Sequence, residues 1–137
     1  MGLILDSSIV IAAERRGDSV PQLLRQVGAS VGDQHAVLSS VGLTELAHAV
    51  YRAQTAIARE RREKFLGQLL LDMEVVPYTK DTALLAGRLD GEQRARGVTI
   101  PSVDLMIGAT ALEYGYSVAT ANLRHFQLIP GLNVISI

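Results

Sequence analysis

At 137 residues the chain has the length of one domain, here read as 1–137, and a chain of that size buries roughly 70% of its unfolded surface around one core. Hydrophobic residues make up 48% of it and aromatics only 4%, which calls for an aliphatic core and argues against base stacking on aromatic platforms as a main binding mode. Thirteen Lys and Arg against fourteen Asp and Glu leave a charge of -1, which excludes attraction of polyanions by bulk charge, and the lack of Cys excludes disulfides, thiolate-bound zinc and thiol catalysis.

The opening Met1 to Ile11 has neither the cationic start nor the small-residue cleavage site of a secretory signal, and no uncharged run reaches the roughly 20 residues of a membrane span. A soluble, cytoplasmic protein with no membrane contact is expected. Leu3-Ile4-Leu5 reads as a buried strand closing on Asp6, followed by a helix from Ser7 that Gly17 stops. A short helix is expected over Pro21 to Val27 and a second strand over Ala36 to Ser39. Apolar residues at helical spacing from Leu43 give the next helix, and Thr55 to Leu71 another. The charged run Arg59 to Lys64 reads as a solvated helix face, with Glu60 four residues before Lys64 in the favourable order for an ion pair.

Glu74 to Pro77 reads as a third strand, Asp81 to Arg96 as a helix stopped by Gly97, and Pro101 to Tyr114 as a helix stopped by Gly115. Ser117 to Thr120 is a fourth strand and Val134-Ile135 a short fifth. Strands alternating with helices predict an α/β fold: a three-layer α/β/α sandwich with a central, mainly parallel sheet of four to five strands. Binding sites in such sheets collect at the carboxyl ends of the strands.

Four polar residues map to that edge. Asp6 follows the first strand, Glu45 follows the second by a short loop, Asp104 stands in the first turn of its helix, and Asn122 follows the fourth strand. Asp6 could be an ordinary helix N-cap and Glu45 the third residue of a helix capped at Gly42. Asp104 is harder to explain so, because Leu105, Met106, Ile107 and the small residues Gly108, Ala109 and Ala111 bring its helix close to the sheet, where a charge needs a partner. Three gathered carboxylates call for a cation. An all-oxygen set favours Mg²⁺ or Mn²⁺ over zinc, and Mg²⁺ bound by few carboxylates leaves room for phosphate oxygens.

The stretches Leu5-Asp6-Ser7-Ser8, Leu43-Thr44-Glu45-Leu46, Ile100-Pro101-Ser102-Val103-Asp104 and Thr120-Ala121-Asn122-Leu123-Arg124-His125-Phe126 resemble the successive motifs of the PIN-domain nucleases. The resemblance is to the VapC toxins of toxin-antitoxin pairs and runs from Leu3 to Ile135. It implies a Mg²⁺- or Mn²⁺-dependent endoribonuclease with Asp6, Glu45 and Asp104 as catalytic metal ligands, Asn122 as a weaker fourth ligand, and Ser7 and Thr120 as supporting hydroxyls. It also implies a homodimer, a VapB-like antitoxin that covers the acidic site, and contact with DNA only through that antitoxin.

Arg15, Arg16, Arg94, Arg96, Arg124 and His125 are candidates for contact with RNA. The Leu-rich stretch Phe65, Leu66, Leu69, Leu70 and Leu71 is wider than one core-facing stripe and could serve a subunit or partner groove. Two rivals remain open. A degenerate domain that binds RNA or a partner without cutting would gain nothing from three acids, and a phosphoryl-transfer enzyme with Asp6 as nucleophile would want acidic neighbours where Ser7 and Ser8 stand.

Overall fold

The computed structural model describes residues 2–137. Five strands, β1 (Gly2–Leu5), β2 (His35–Ser39), β3 (Val75–Val76), β4 (Ser117–Thr120) and β5 (Val134–Ser136), form one sheet in the order β3-β2-β1-β4-β5. Every pairing in it is parallel. The expected sandwich is thus present, with five strands.

Alternation along the strands divides the core in two. Leu3 and Leu5 of β1, Leu38 of β2 and Ala119 of β4 face one side, where they meet α1 (Ser7–Arg15), α2 (Val20–Val31), Leu46 of α3 (Ser40–Tyr51) and Leu69 of α4 (Ala56–Asp72). Ile4, Val37 and Val118 face the other, against α5 (Lys80–Ala95), α6 (Ser102–Tyr114) and Phe126 of the one-turn α7 (Leu123–Phe126). A strand covered on both faces reads as a continuous apolar run, and all four residues of β1 are buried.

Gly115 ends α6 at φ 67°, in the left-handed region where a side chain would be strained. Gly108 serves another purpose: a Cβ there would stand 2.3 Å from Ile129 Cδ1. Gly108 therefore admits the segment before β5, while Ala109 and Ala111 share a buried core with Ile4 and Val118 of the sheet, as expected from sequence.

Two helix starts differ from expectation. Ser19 and Gln22 form a reciprocal capping box, so α2 begins at Val20 and runs on to Val31 instead of stopping at Val27. The second strand passes into α3 without a loop: the Ser39 hydroxyl accepts from Gly42 N and caps the helix, three residues earlier than expected. The one-turn α7 has no counterpart among the elements expected from sequence. No helix among the described residues is long and apolar enough to cross a membrane.

Candidate active site

Strand β1 lies in the middle of the sheet, with β2 on one side and β4 on the other, so the chain departs from it in opposite directions and leaves a crevice at its carboxyl end. Asp6 sits in that crevice, with its backbone N–H donating to Ala119 O of β4 at 2.9 Å. It occupies the N-cap position of α1, but its side chain makes no capping bond. The capping explanation therefore fails for its carboxylate. Asp6 Oδ2 accepts instead from Ser8 Oγ at 2.6 Å and from Thr120 Oγ1 at 2.8 Å, and the residue is only 4% exposed.

Glu45 lies in the second turn of α3, too far from the Ser39 cap to belong to it. Its Oε1 accepts from Ser7 Oγ at 2.7 Å. Burial pushes the Glu45 carboxyl above the usual range, the Ser7 hydroxyl pulls it back, and Asp6 and Asp104 push it up again. Asp104, in the first turn of α6, meets His125 Nδ1 through Oδ2 at 2.7 Å. Its carboxyl is likewise raised by burial, lowered by the bond to His125, and raised by Asp6.

The crevice thus brings the three acids into electrostatic reach of one another. Among the described residues, no three His, Asp or Glu side chains are close enough to form a ready-made metal cage. Mg²⁺ takes one or two carboxylates directly and keeps several waters, so acids spaced in this way fit an ion shared partly through water. The donor set fits as well. On each acid one oxygen is tied by a protein hydrogen bond, while Asp6 Oδ1, Glu45 Oε2 and Asp104 Oδ1 accept no bond from any described residue. No fully buried side-chain N or O among the described residues lacks a partner, so these free oxygens are open to solvent.

The other sequence candidates scatter. Thr120 is fully buried and donates to Asp6, while Ser7 donates to Glu45, so both hydroxyls stand at the site. Asn122 reaches the acids only through His125, its amide nitrogen lying 2.7 Å from Nδ1. One ring nitrogen cannot donate to Asp104 and accept from Asn122 at once, so the tautomer of His125 decides which of the two bonds is made. His125 is turned toward Asp104 through Nδ1, with its side chain still 38% exposed. Arg16 pairs with Asp18 and Arg94 with Asp90, while Arg15, Arg96 and Arg124 are exposed.

Ser8 is a supporting residue that the sequence motifs did not single out. It donates to Asp6 and accepts from Ala121 N at 3.1 Å, tying the end of β1 to the end of β4. Its position two residues after an Asp is the signal that could have found it. The charged run of α4 is solvated only in part: Lys64 and Glu60 pair at 3.3 Å as expected, but Arg61 crosses to Glu14 at 2.9 Å and Arg62 donates to Ala49 O at 2.6 Å. Of the Leu-rich stretch, Leu69 is core, Leu70 and Leu71 are exposed, and Phe65 and Leu66 line an apolar groove with Val10, Ile11, Leu46 and Val50.

The PIN domain model matches residues 3–132. The chain is 31% identical over 137 residues to ribonuclease VapC1 of Rickettsia felis, covering all of this chain and 97% of the relative. It is 32% identical over 97 residues to the tRNA(fMet)-specific endonuclease VapC of Salmonella typhimurium, covering 71% of each. Among solved structures, a chain of DNA-bound VapBC from Salmonella typhimurium superposes with a TM-score of 0.83 at 25% identity, over 99% of this chain and 98% of that one.

Proposed function

The chain belongs to the PIN-domain family, in its VapC ribonuclease branch, and from this we propose that it is a divalent-metal-dependent endoribonuclease, the toxin of a toxin-antitoxin pair. The observation that carries the metal is the oxygen count: three convergent acids, each with one oxygen held by the protein and one left open. Asp6, Glu45 and Asp104 would hold Mg²⁺ or Mn²⁺, with Asn122 a weaker fourth group behind His125. A cation bound there would neutralise charge on the transferring phosphate and make water nucleophilic near neutral pH.

The chain's own residues prepare that site. Ser8 and Thr120 spend their hydroxyl hydrogens on Asp6 Oδ2, which turns Oδ1 toward the crevice. Ser7 does the same for Glu45 and His125 for Asp104. The raised carboxyls of Glu45 and Asp104 favour the proton more than free carboxylates do, so cation and protons compete there.

The same reading supplies the partners. The Salmonella structure is of a VapBC complex on DNA, which supports a VapB-like antitoxin here and DNA contact only through it. The apolar groove between α1, α3 and α4 adjoins the face of α3 that bears Glu45, which supports an antitoxin segment seated there and blocking the acids. Exposed Ile57 and Leu71 at the two ends of α4 leave apolar surface for a homodimer. The expected setting is the cytoplasm, where free toxin would cut RNA and slow growth or translation.

The test is cleavage of RNA by purified protein with Mg²⁺ or Mn²⁺, with EDTA, and as Asp104→Ala. Cleavage in the first condition alone supports the proposal. Equal activity in all three rejects it.

A further inference from the structure

The overall charge of -1 conceals an uneven distribution. Arg16, Arg61, Lys64, Arg88 and Arg94 stand in ion pairs with carboxylates, and Arg59 lies over the Tyr51 ring. Three arginines with no ion-pair partner among the described residues, Arg15, Arg52 and Arg62, line one cleft of about 560 Å³ between the end of α1, α3 and α4. Glu45, one of the three active-site acids, is the one acidic residue on its wall.

The cleft is built from helix geometry. Glu45 and His48 of α3 and its C-cap residue Arg52, which keeps helical backbone angles, fall at i, i+3 and i+7, which places them along one face over about 10 Å. Arg62 reaches in from α4 and is held by its bond to Ala49 O. Glu14, beside Arg15 on α1, could have neutralised the wall, but Arg61 already binds it and the Glu14 side chain is only 8% exposed. Arg15 and Arg52 are thus left exposed, and half-buried Arg62 beside them has one nitrogen held by Ala49 O, all three on the wall that carries Glu45.

Resting on the nuclease reading above, we propose that this cleft is the track for the RNA strand beside the cut. Arg15, Arg52 and Arg62 bind backbone phosphates next to the scissile one, and Glu45 marks where the track enters the crevice. Guanidinium forks match phosphate oxygens, and no Phe, Tyr or Trp lines the wall, so the grip falls mainly on the backbone. The track also explains how an acidic crevice in a protein of negative net charge could attract a polyanion.

The test measures cleavage of a single-stranded RNA by Arg15→Ala, Arg52→Ala and the double variant, with Arg25→Ala and Arg88→Ala as controls outside the cleft. Each cleft variant is expected to raise KM roughly threefold to tenfold with kcat within twofold, and to flatten the salt dependence of kcat/KM by about 0.7 in logarithmic slope for each phosphate no longer gripped. The controls are expected to match wild type. KM and salt slope unchanged in the double variant, while wild type cleaves, would overturn the track and leave the nuclease standing.

If wild type cleaves nothing, the nuclease reading fails, and the track is judged by fluorescence anisotropy of the same labelled RNA on the Asp104→Asn protein in EDTA. Weaker binding by the Arg15→Ala, Arg52→Ala double variant in that background supports it. Equal binding overturns it, as does a loss confined to a poly-glutamate peptide, which would mark the cleft as the seat of an acidic protein segment.

Discussion

Asp104→Asn separates the cost of the acidic crevice from its use. The Asp104 carboxyl is raised by burial and by Asp6, so its folded pKa lies above the unfolded one. For an acid this means a cost to stability that is present at pH above the folded pKa and relieved as pH falls through it. Asn removes the charge and keeps an oxygen to accept from His125 Nδ1. In EDTA at pH 7.5 the variant is therefore expected to melt above wild type, and that advantage is expected to shrink as the pH falls through the raised pKa. Cation should act the other way. At ten times its dissociation constant an ion stabilises by about 1.4 kcal/mol. With an unfolding entropy of about 2.1 cal/mol/K per residue, 137 residues give about 0.29 kcal/mol/K, so wild type should gain about 5 °C. Asp104→Asn should lose most of that gain. The assay is a melting curve by circular dichroism with EDTA and over a Mg²⁺ titration at several pH values. An Asn variant that melts below wild type in EDTA, or that keeps the full Mg²⁺ shift, would refute the reasoning.

Two further substitutions probe the supports. His125→Ala removes the bond that lowers the Asp104 carboxyl, so the acid limb of the kcat/KM profile should move to higher pH and the variant should lose more activity at pH 6 than at pH 8.5; parallel profiles would show that His125 does not act on Asp104. Gly108→Ala puts a Cβ against Ile129 Cδ1 and should lower stability by about 1–2 kcal/mol, or roughly 3–7 °C. Adding Ile129→Val removes that atom, and the double variant should melt above the value obtained by adding the two single effects.

Legibility in the sequence followed how local each signal is. The strands β1 and β4 are short apolar runs bounded by polar residues, and α5 and α6 carry Gly just past their ends, so each could be read from a few neighbours. The start of α3 could not, because the cap is Ser39, which the apolar pattern assigns to a strand. The difference matters, since it placed Glu45 in a first turn where a capping role was open to it. The one-turn α7 lies below any helical period, and the contact it creates between His125 and Asp104 joins residues 21 apart. Pairing of Arg61 with Glu14 spans 47 positions. Which arginines stay free is thus a tertiary property, and Arg15 is a candidate from sequence while Arg52 and Arg62 are not.

The candidate site and the cleft are linked by that one pairing. If Arg61 did not hold Glu14, that carboxylate would stand among Arg15 and Arg62 and cancel part of their field. Positive potential would then fade before it reached Glu45. By taking the acid out of play, Arg61 keeps basic wall and acidic crevice distinct within one nearly neutral molecule, and local fields of this kind, not net charge, set how charged partners approach. The hydroxyls complete the arrangement from the other side. Ser7, Ser8 and Thr120 come from the carboxyl ends of β1 and β4, and each turns a carboxylate so that its free oxygen faces the crevice. The bonds of Thr120 to Asp6 and of Ala121 to Ser8 depend on β1 and β4 being neighbours, which ties the chemistry of the crevice to the strand order of the sheet.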